Sequence, residues 1–251
     1  MNNENHFTIF IPAYNAEQWA EVNLTSAFLQ EYENYDILYI DDCSTDNTEN
    51  VVRNIFFNED KEFNGLNKNY IRNSFNKGKM FNLYNYIKPL RDDTIVVIVD
   101  GDDWLLHYEV LQTLDEFYNE DIWMTCGSYL TTPGNHLVCP RIESGYWEGN
   151  IREKSWEFSH LATFRKSLFD KIKKKHFLDH NGSFLSATSD QAIMWPMAEM
   201  SGPEHLQVID SAMYCYNLGN PLSDHVANRT DQLDLEKYVR SIKPYERLEI
   251  L

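Results

Sequence analysis

A chain of 251 residues, 43% hydrophobic and 14% aromatic, has a globular composition and the length to bury one sizeable core. Its net charge of −17 excludes a general affinity for nucleic acid or anionic membrane, because phosphates attract basic surfaces, but leaves room for a nucleotide held through a metal ion. No apolar run approaches the roughly 18 to 20 residues that cross a bilayer, and Cys43, Cys126, Cys139 and Cys215 lack metal-ligand spacing, so the expectation is a cytoplasmic chain with reduced thiols and no integral membrane segment.

Phe7 to Ile11 reads as a short strand stopped by Pro12, and residues 16 to 30 place Trp19, Val22, Leu24, Ala27 and Phe28 at helical spacing. Ile37 to Ile40 is a second strand, Asp41 to Thr48 a polar loop, and Glu49 to Phe57 a helix capped by Ser44, Thr45 or Asp46. A third strand over Asn69 to Ile71 precedes a helix over Gly78 to Ile87. The branched aliphatic run from Ile95 to Val99 predicts a strand over Thr94 to Val99 buried on both faces, followed by a helix over His107 to Tyr118. Such alternation predicts right-handed βαβ units and a mostly parallel sheet.

Regular alternation ends after Asn119. Ile122 to Cys126, Tyr129 to Thr132 and Leu137 to Cys139 are expected to be short strands, with a turn at Pro133-Gly134-Asn135. Residues 140 to 160 suit a loop lining a pocket, and helices are expected over Thr163 to Lys173 and Asp190 to Met200. Strand pieces at Val208 to Ile209 and Met213 to Tyr216 precede a last helix over Gln232 to Ile242. With no repeat or linker, the chain reads as one domain over 1–251.

Three strand ends carry chemistry: Pro12-Ala13-Tyr14-Asn15, Asp41-Asp42-Cys43-Ser44-Thr45-Asp46 and Asp100-Gly101-Asp102-Asp103. In a parallel sheet these ends share one edge and their loops converge on one crevice. Three carboxylates within four positions repel one another unless a cation balances them, and hard divalent ions such as Mg²⁺ or Mn²⁺ take carboxylates, waters and substrate phosphates as ligands. In isolation the first acidic loop is also a helix-capping turn, and Tyr14 also a core aromatic.

Together the three segments resemble the inverting family-2 glycosyltransferases of the GT-A fold. Their signatures are an Ile/Val-Pro-x-Tyr-Asn start, a Val-Asp-Asp-Gly-Ser-x-Asp loop and a strand ending in Asp-x-Asp. The resemblance spans residues 7 to about 220 and implies an α/β architecture: a Rossmann-like, mostly parallel central sheet flanked by helices, with a mixed acceptor-side half. It implies a nucleotide-sugar half over 1–120, an acceptor half over 121–230 and a closing helix over 231–251. Carried over, Pro12, Ala13, Tyr14 and Asn15 frame the base, Tyr14 by stacking, and Asp41 or Asp42 accepts a hydrogen bond from it. A uridine diphosphate sugar is the donor the resemblance favours. Asp100, with Gly101, faces the ribose or a metal-bound water. Asp102 ligates Mn²⁺ or Mg²⁺, Asp103 supports a ligand, and among His160, His205 and His225 the last is preferred as a further ligand. Relatives often follow their Asn-x-Gly segment with Ala-Arg-Asn, where this chain has Asn82-Leu83-Tyr84. Lys79, Lys77 or Arg72 would supply the missing cation.

Inversion by direct displacement needs a base for the hydroxyl of a glycan or glycoconjugate acceptor. The resemblance assigns this to Asp190 in Thr188-Ser189-Asp190-Gln191, after Phe164-Arg165-Lys166, although Ser189 stands where relatives carry glutamate. Asp190 as a plain helix N-cap is the structural alternative. Tyr146 and Trp147 are expected to line the pocket and Trp195 the core. A sugar nucleotidyltransferase would need a glycine-rich basic loop after the first strand, and an Asp-x-Asp phosphatase its motif on that strand. Neither pattern is present. A noncatalytic nucleotide-sugar or glycan-binding module would keep the donor loops and lose the base.

Overall fold

Residues on the aliphatic run alternate between two cores, which is the property that makes it a central strand. Ile95, Val97 and Val99 enter one cluster and Val96 and Ile98 the other, all nearly or wholly buried. The computed structural model describes residues 5–57, 66–221 and 229–251. The elements are β1 (His6–Ala13), α1 (Ala20–Phe28), β2 (Tyr35–Asp41), α2 (Thr48–Phe56), β3 (Asn67–Arg72), α3 (Lys79–Ile87), β4 (Thr94–Ile98), β5 (Trp104–Leu105), α4 (Val110–Tyr118), β6 (Met124–Thr132), β7 (Leu137–Val138), β8 (Thr163–Arg165), α5 (Lys166–Phe169), α6 (Ser189–Ser201), β9 (Leu206–Asn217) and α7 (Arg229–Ser241). They form one sheet ordered β3-β2-β1-β4-β8-β6-β9-β5, with β7 paired to β6.

The first four neighbours in that order are parallel, as the βαβ pattern predicts, with Ala13 opposite Asp41 and Asp41 opposite Arg72. Helices α1, α2 and α4 cover one face through Leu24, Val52 and Leu114, and α3 and α6 the other through Leu83 and Trp195. Burying each such side chain contributes about 1.5–3 kcal/mol relative to leaving it in water. Among the described residues no helix is long and apolar enough to cross a membrane.

The second half corrects the sequence reading in several places. Thr163–Arg165 is a strand, not the start of a helix, and α5 is only four residues long. The strand runs antiparallel between β4 and β6 and so pairs both their edges, which a helix would leave with unsatisfied backbone groups. Ile122 to Thr132 carries one long strand, β6, rather than two, and β9 likewise runs unbroken beside it with register shifts near Gly127 and Ser128. Strand β5, unforeseen, pairs antiparallel with β9. Val22 points outward at 40% exposure, while the polar Asn23 takes its place on the buried face of α1. Tyr146 and Trp147, expected to line a pocket, pack with Trp156, Phe158 and Trp195 in the core instead.

A buried ion pair fastens the C-terminal helix. The Arg152 guanidinium donates from Nε and Nη2 to the two carboxylate oxygens of Glu199 on α6, and from Nη1 to the carbonyl of Val239 on α7 at 2.7 Å. Arg240 of α7 donates in return to the carbonyls of Arg152 and Lys154 and lies 4.6 Å from the Trp195 ring centroid. Removing one member of such a pair strands a buried charge, so Arg152→Met is expected to cost about 3–5 kcal/mol in urea denaturation. The double variant Arg152→Met/Glu199→Leu should recover much of that loss. If it is no more stable than Arg152→Met, the stranded carboxylate is not the source of the cost.

Candidate active site

The loops that leave β1 and β2 are stitched together before any ligand is considered. The backbone N–H groups of Asn15, Ala16 and Glu17 donate to Ser44 Oγ, Thr48 Oγ1 and Asp46 Oδ2, and Thr45 N–H returns a bond to Asn15 Oδ1. Asp46 Oδ1 accepts the Thr48 N–H at 3.0 Å, so a residue just before the Asn47 N-cap satisfies the first amide of α2. This frame leaves Pro12 and Ala13 buried and Tyr14 outermost at 42% exposure. Asn15 at φ 50° and Cys43 at φ 64° are held in the left-handed region, Cys43 at a position the resembling motif fills with glycine. Thr188, just before α6, is a third at φ 59°. Such conformations in non-glycine residues are costly and gather at sites that the surrounding structure over-determines.

Both acidic residues of the second loop are deeply set. Asp41, fully buried, accepts the Ser44 N–H at 2.8 Å on Oδ1, and the Tyr70 hydroxyl at 2.9 Å and Arg72 Nε at 3.1 Å on Oδ2. Asp42 accepts from Asn73 Nδ2 and the backbone N–H groups of Lys77 and Gly78. These carboxylates therefore anchor β3 and the turn into α3. Gly78 makes that turn at φ 85°, where a side chain would be strained.

The acidic end of β4 is fixed from three sides. Gly101 donates to the Pro12 carbonyl at 3.0 Å, and a Cβ there would lie 2.5 Å from that of Ala13, so only glycine permits this approach. Asn23 Nδ2 donates to the carbonyls of Asp100 and Asp103 at 2.9 and 2.7 Å. From β9, the Tyr214 hydroxyl donates to Asp103 Oδ2 at 2.6 Å and accepts the Asp100 N–H, while the Asn217 N–H donates to Asp103 Oδ1. Asn220 Nδ2 donates to Asp102 Oδ2 at 2.7 Å. Burial and then Asp100 raise the Asp102 carboxyl above its ordinary range, and burial, Asp102 and Asp100 raise that of Asp103 well above it.

Among the described residues, one cation stands in this acidic cluster. Lys79 Nζ, on the first residue of α3, lies 2.6 and 2.7 Å from the two Asp100 oxygens. By contrast, Lys77 rests over the Phe75 and Phe81 rings, and Arg72 pairs with Asp41 and Glu49. Leu83, where relatives often carry arginine, is buried in the core.

The ligand atoms of Asp100, Asp103 and His160 all lie within 4.8 Å of one another, a set of carboxylates and one imidazole that fits Mn²⁺ or Mg²⁺. His160 stacks on Tyr214, centroids 4.6 Å apart, and burial holds its pKa down to about 4, so the imidazole is neutral and able to ligate near pH 7. Sequence reading preferred His225, which lies outside the described residues. His205 stacks on Trp123 and pairs with Asp121 rather than with the β4 carboxylates. Asn23, Tyr214, Asn217 and Asn220 were not anticipated. Only Asn23 had left a trace, as a polar residue in the apolar face of a helix.

Asp190 is the second residue of α6, and the N-cap position falls to Thr188, so Asp190 is not the cap. Solvent reaches its side chain, yet the surrounding protein raises its carboxyl pKa. Lys79 opposes that shift and Asp100 adds to it, so the charges of the strand end are felt at the helix start. Glu199, the other carboxylate of α6, is committed to Arg152. Asp179 turns to the backbone N–H groups of Ser183 and Asn181, which lower its pKa.

Residues 8–189 match the model of the family described as Glycosyl transferase family 2. Among curated proteins, the chain is 26% identical over 192 residues to the GalNAc(5)-diNAcBac-PP-undecaprenol beta-1,3-glucosyltransferase of Campylobacter jejuni, across 75% of this chain and 58% of that protein. It is also 26% identical over 181 residues to the putative colanic acid biosynthesis glycosyl transferase WcaA of Escherichia coli, across 68% and 62%. The chain thus aligns with about three fifths of the length of these two relatives. Among solved structures, S. aureus TarS 1-349 in complex with UDP superposes with a TM-score of 0.61 at 20% identity, covering 86% of this chain and 61% of that one. The mannosyltransferase PcManGT from Pyrobaculum calidifontis, in complex with GDP-Man and Mn²⁺, gives a TM-score of 0.60 at 16% identity, covering 97% and 67%. These likenesses show a GT-A fold.

Proposed function

The chain belongs to glycosyl transferase family 2, and from that premise we propose that it is an inverting, metal-dependent enzyme moving a hexose from a nucleotide diphosphate sugar, a UDP-sugar first, to a hydroxyl of a glycan or glycoconjugate. The observation that carries this reading is the convergence of the β1, β2 and β4 loops on one sheet edge, where Gly101 closes on Pro12 and the Asp100–Asp103 carboxylates gather around Lys79. A transferase needs, besides these donor loops, a carboxylate on the acceptor side, and Asp190 in the first turn of α6 is the residue proposed for it.

In this reading residues 1–120 hold the donor and 121–230 the acceptor. Tyr14, the exposed aromatic of the β1 loop, stacks on the base, and the loop built on Asp41 and Asp42 sets its edge. Asp100, Asp103 and His160, the clustered set, with Asp102 beside them as the carboxylate the resemblance singles out, would hold Mn²⁺ or Mg²⁺, which when bound offsets the charge of the leaving diphosphate. Lys79 adds a second positive charge beside the phosphates. Asp190 takes the proton from the acceptor hydroxyl, and its raised pKa strengthens it as a base.

A thermal-shift and donor-turnover screen of nucleotide sugars with Mn²⁺ or Mg²⁺ tests the reading, since a ligand that binds the native state raises apparent stability. UDP-sugars with metal are expected to raise the melting temperature, and the right acceptor to release UDP. A shift with GDP-sugars alone would move the donor assignment to guanosine. A donor bound tightly with no transfer or hydrolysis would favour the binding module.

A further inference from the structure

Lys79 is misplaced for a helix. It is the first residue of α3, where the backbone dipole presents positive charge and a cation is disfavoured. There it pairs with Asp100, whose two oxygens lie 2.6 and 2.7 Å from Nζ. The field of the ammonium also reaches Asp102, His160 and Asp190, where it opposes the rise of the two carboxyls and favours the neutral imidazole. Asp103 belongs to the same cluster, with its oxygens braced by Tyr214 and Asn217, so an ion seated there also lies beside Asp100 and its ammonium. A divalent ion that uses Asp100 must therefore displace Lys79 or sit within a few ångströms of its charge, where cation repulsion is strong.

We propose that Lys79 is a resident counter-ion competing with the divalent cation for Asp100, so that metal and nucleotide diphosphate enter together rather than metal first. The inference rests on the reading of Asp100 and Asp102 as metal-holding residues and concerns the order in which that site fills. A diphosphate brings several negative charges and offers the ammonium new charge-assisted partners. Lys79 can then turn from Asp100 to the phosphates, which frees the carboxylate and removes the penalty on the ion. The same side chain thus opposes metal alone and favours metal with nucleotide, a positive coupling that is reciprocal between the two ligands.

Mn²⁺ binding to the whole chain, read from the electron paramagnetic resonance signal of the free ion with and without UDP, tests this directly. In the unaltered protein UDP should strengthen Mn²⁺ binding by about a hundredfold, the upper part of the usual range for such coupling. Lys79→Gln should bind Mn²⁺ without UDP about tenfold more tightly, and the gain from UDP should shrink by about tenfold or more. Lys79→Arg, which keeps the charge, should retain most of the coupling. Lys79 is 35% exposed at a helix end, so both variants should fold, as melting curves will show. Unchanged or weaker Mn²⁺ binding by Lys79→Gln in the absence of UDP, with UDP coupling intact, would overturn the counter-ion role while leaving the metal site standing. Absence of Mn²⁺ binding by the unaltered protein even with UDP and GDP would remove the metal site itself and this inference with it.

Discussion

Asp190→Asn is expected to lower sugar transfer by roughly 10²- to 10⁴-fold, the range for losing a positioned general base, with donor affinity and melting temperature close to those of the unaltered protein. The amide keeps the size of the side chain in the first turn of α6 and removes only the proton acceptor. The pH profile supplies the sharper check. The protein packed around Asp190 raises its carboxyl pKa, although solvent reaches the side chain, and Lys79 restrains the rise, so the residue protonates at a higher pH than an ordinary aspartate. A base works only when deprotonated. Transfer should therefore fall as pH drops through that raised pKa, and this acid limb should vanish in Asp190→Asn. A variant that transfers at the full rate with chemistry limiting, or one that keeps the same acid limb, would remove Asp190 from the mechanism. Glu199 is no substitute, since Arg152 holds both its oxygens.

Asp102→Asn is expected to uncouple nucleotide binding from metal. Its carboxylate is raised by burial and by Asp100, so a divalent cation is the natural relief of the repulsion, and Asn220 already orients Oδ2. Losing a metal ligand should cost at least the 10- to 100-fold in metal affinity that losing an outer partner costs. Calorimetry of UDP binding should show a strong advantage of Mn²⁺ over chelator in the unaltered protein and little in the variant. Equal UDP affinity with Mn²⁺ and with chelator in the unaltered protein would mean that no metal serves this site. Removal of one of three crowded carboxylates should leave the fold intact or slightly more stable, in contrast to Arg152→Met.

The first half of the fold was legible because local pattern and tertiary environment agree there. Ile95 to Val99 can satisfy two cores only as a central strand, and each polar loop follows the end of a parallel strand, so Tyr14, Asp41 and Asp100 meet on one edge without any long-range information. The helix ends were less well read. Ser44, Thr45 and Asp46 were the candidate caps for α2, but the N-cap position is Asn47, and Asp46, one residue earlier, reaches the Thr48 N–H with one oxygen while the other is tied to Glu17 of the neighbouring loop.

The second half resists such reading because its strands are defined by their partners. Thr163 to Lys173 has helical texture, yet Thr163–Arg165 is drawn into the sheet between β4 and β6, where the Thr163 hydroxyl bonds those of Tyr118 and Thr125. The Tyr146 and Trp147 pair, between glycines, read as pocket-lining, whereas their ring contacts with Phe158 bury Tyr146 and half-bury Trp147 against the core. Short apolar segments carry no periodicity long enough to separate strand from loop.

By itself the amino-acid sequence determined the parallel donor-side sheet, the acidic crevice at its edge, the resemblance that names the family and the candidate base, because each is written in contiguous residues or at the ends of periodic runs. Only the tertiary structure decided which groups complete that crevice. His160 reaches the carboxylates from a loop, Tyr214 and Asn217 brace Asp103 from more than a hundred residues away, and Lys79, one of several lysines and arginines near the strand ends, is the cation that meets Asp100. Their roles arise from strand register and side-chain packing across the sheet, and the energy that fixes them is spread over contacts between segments that share no local pattern.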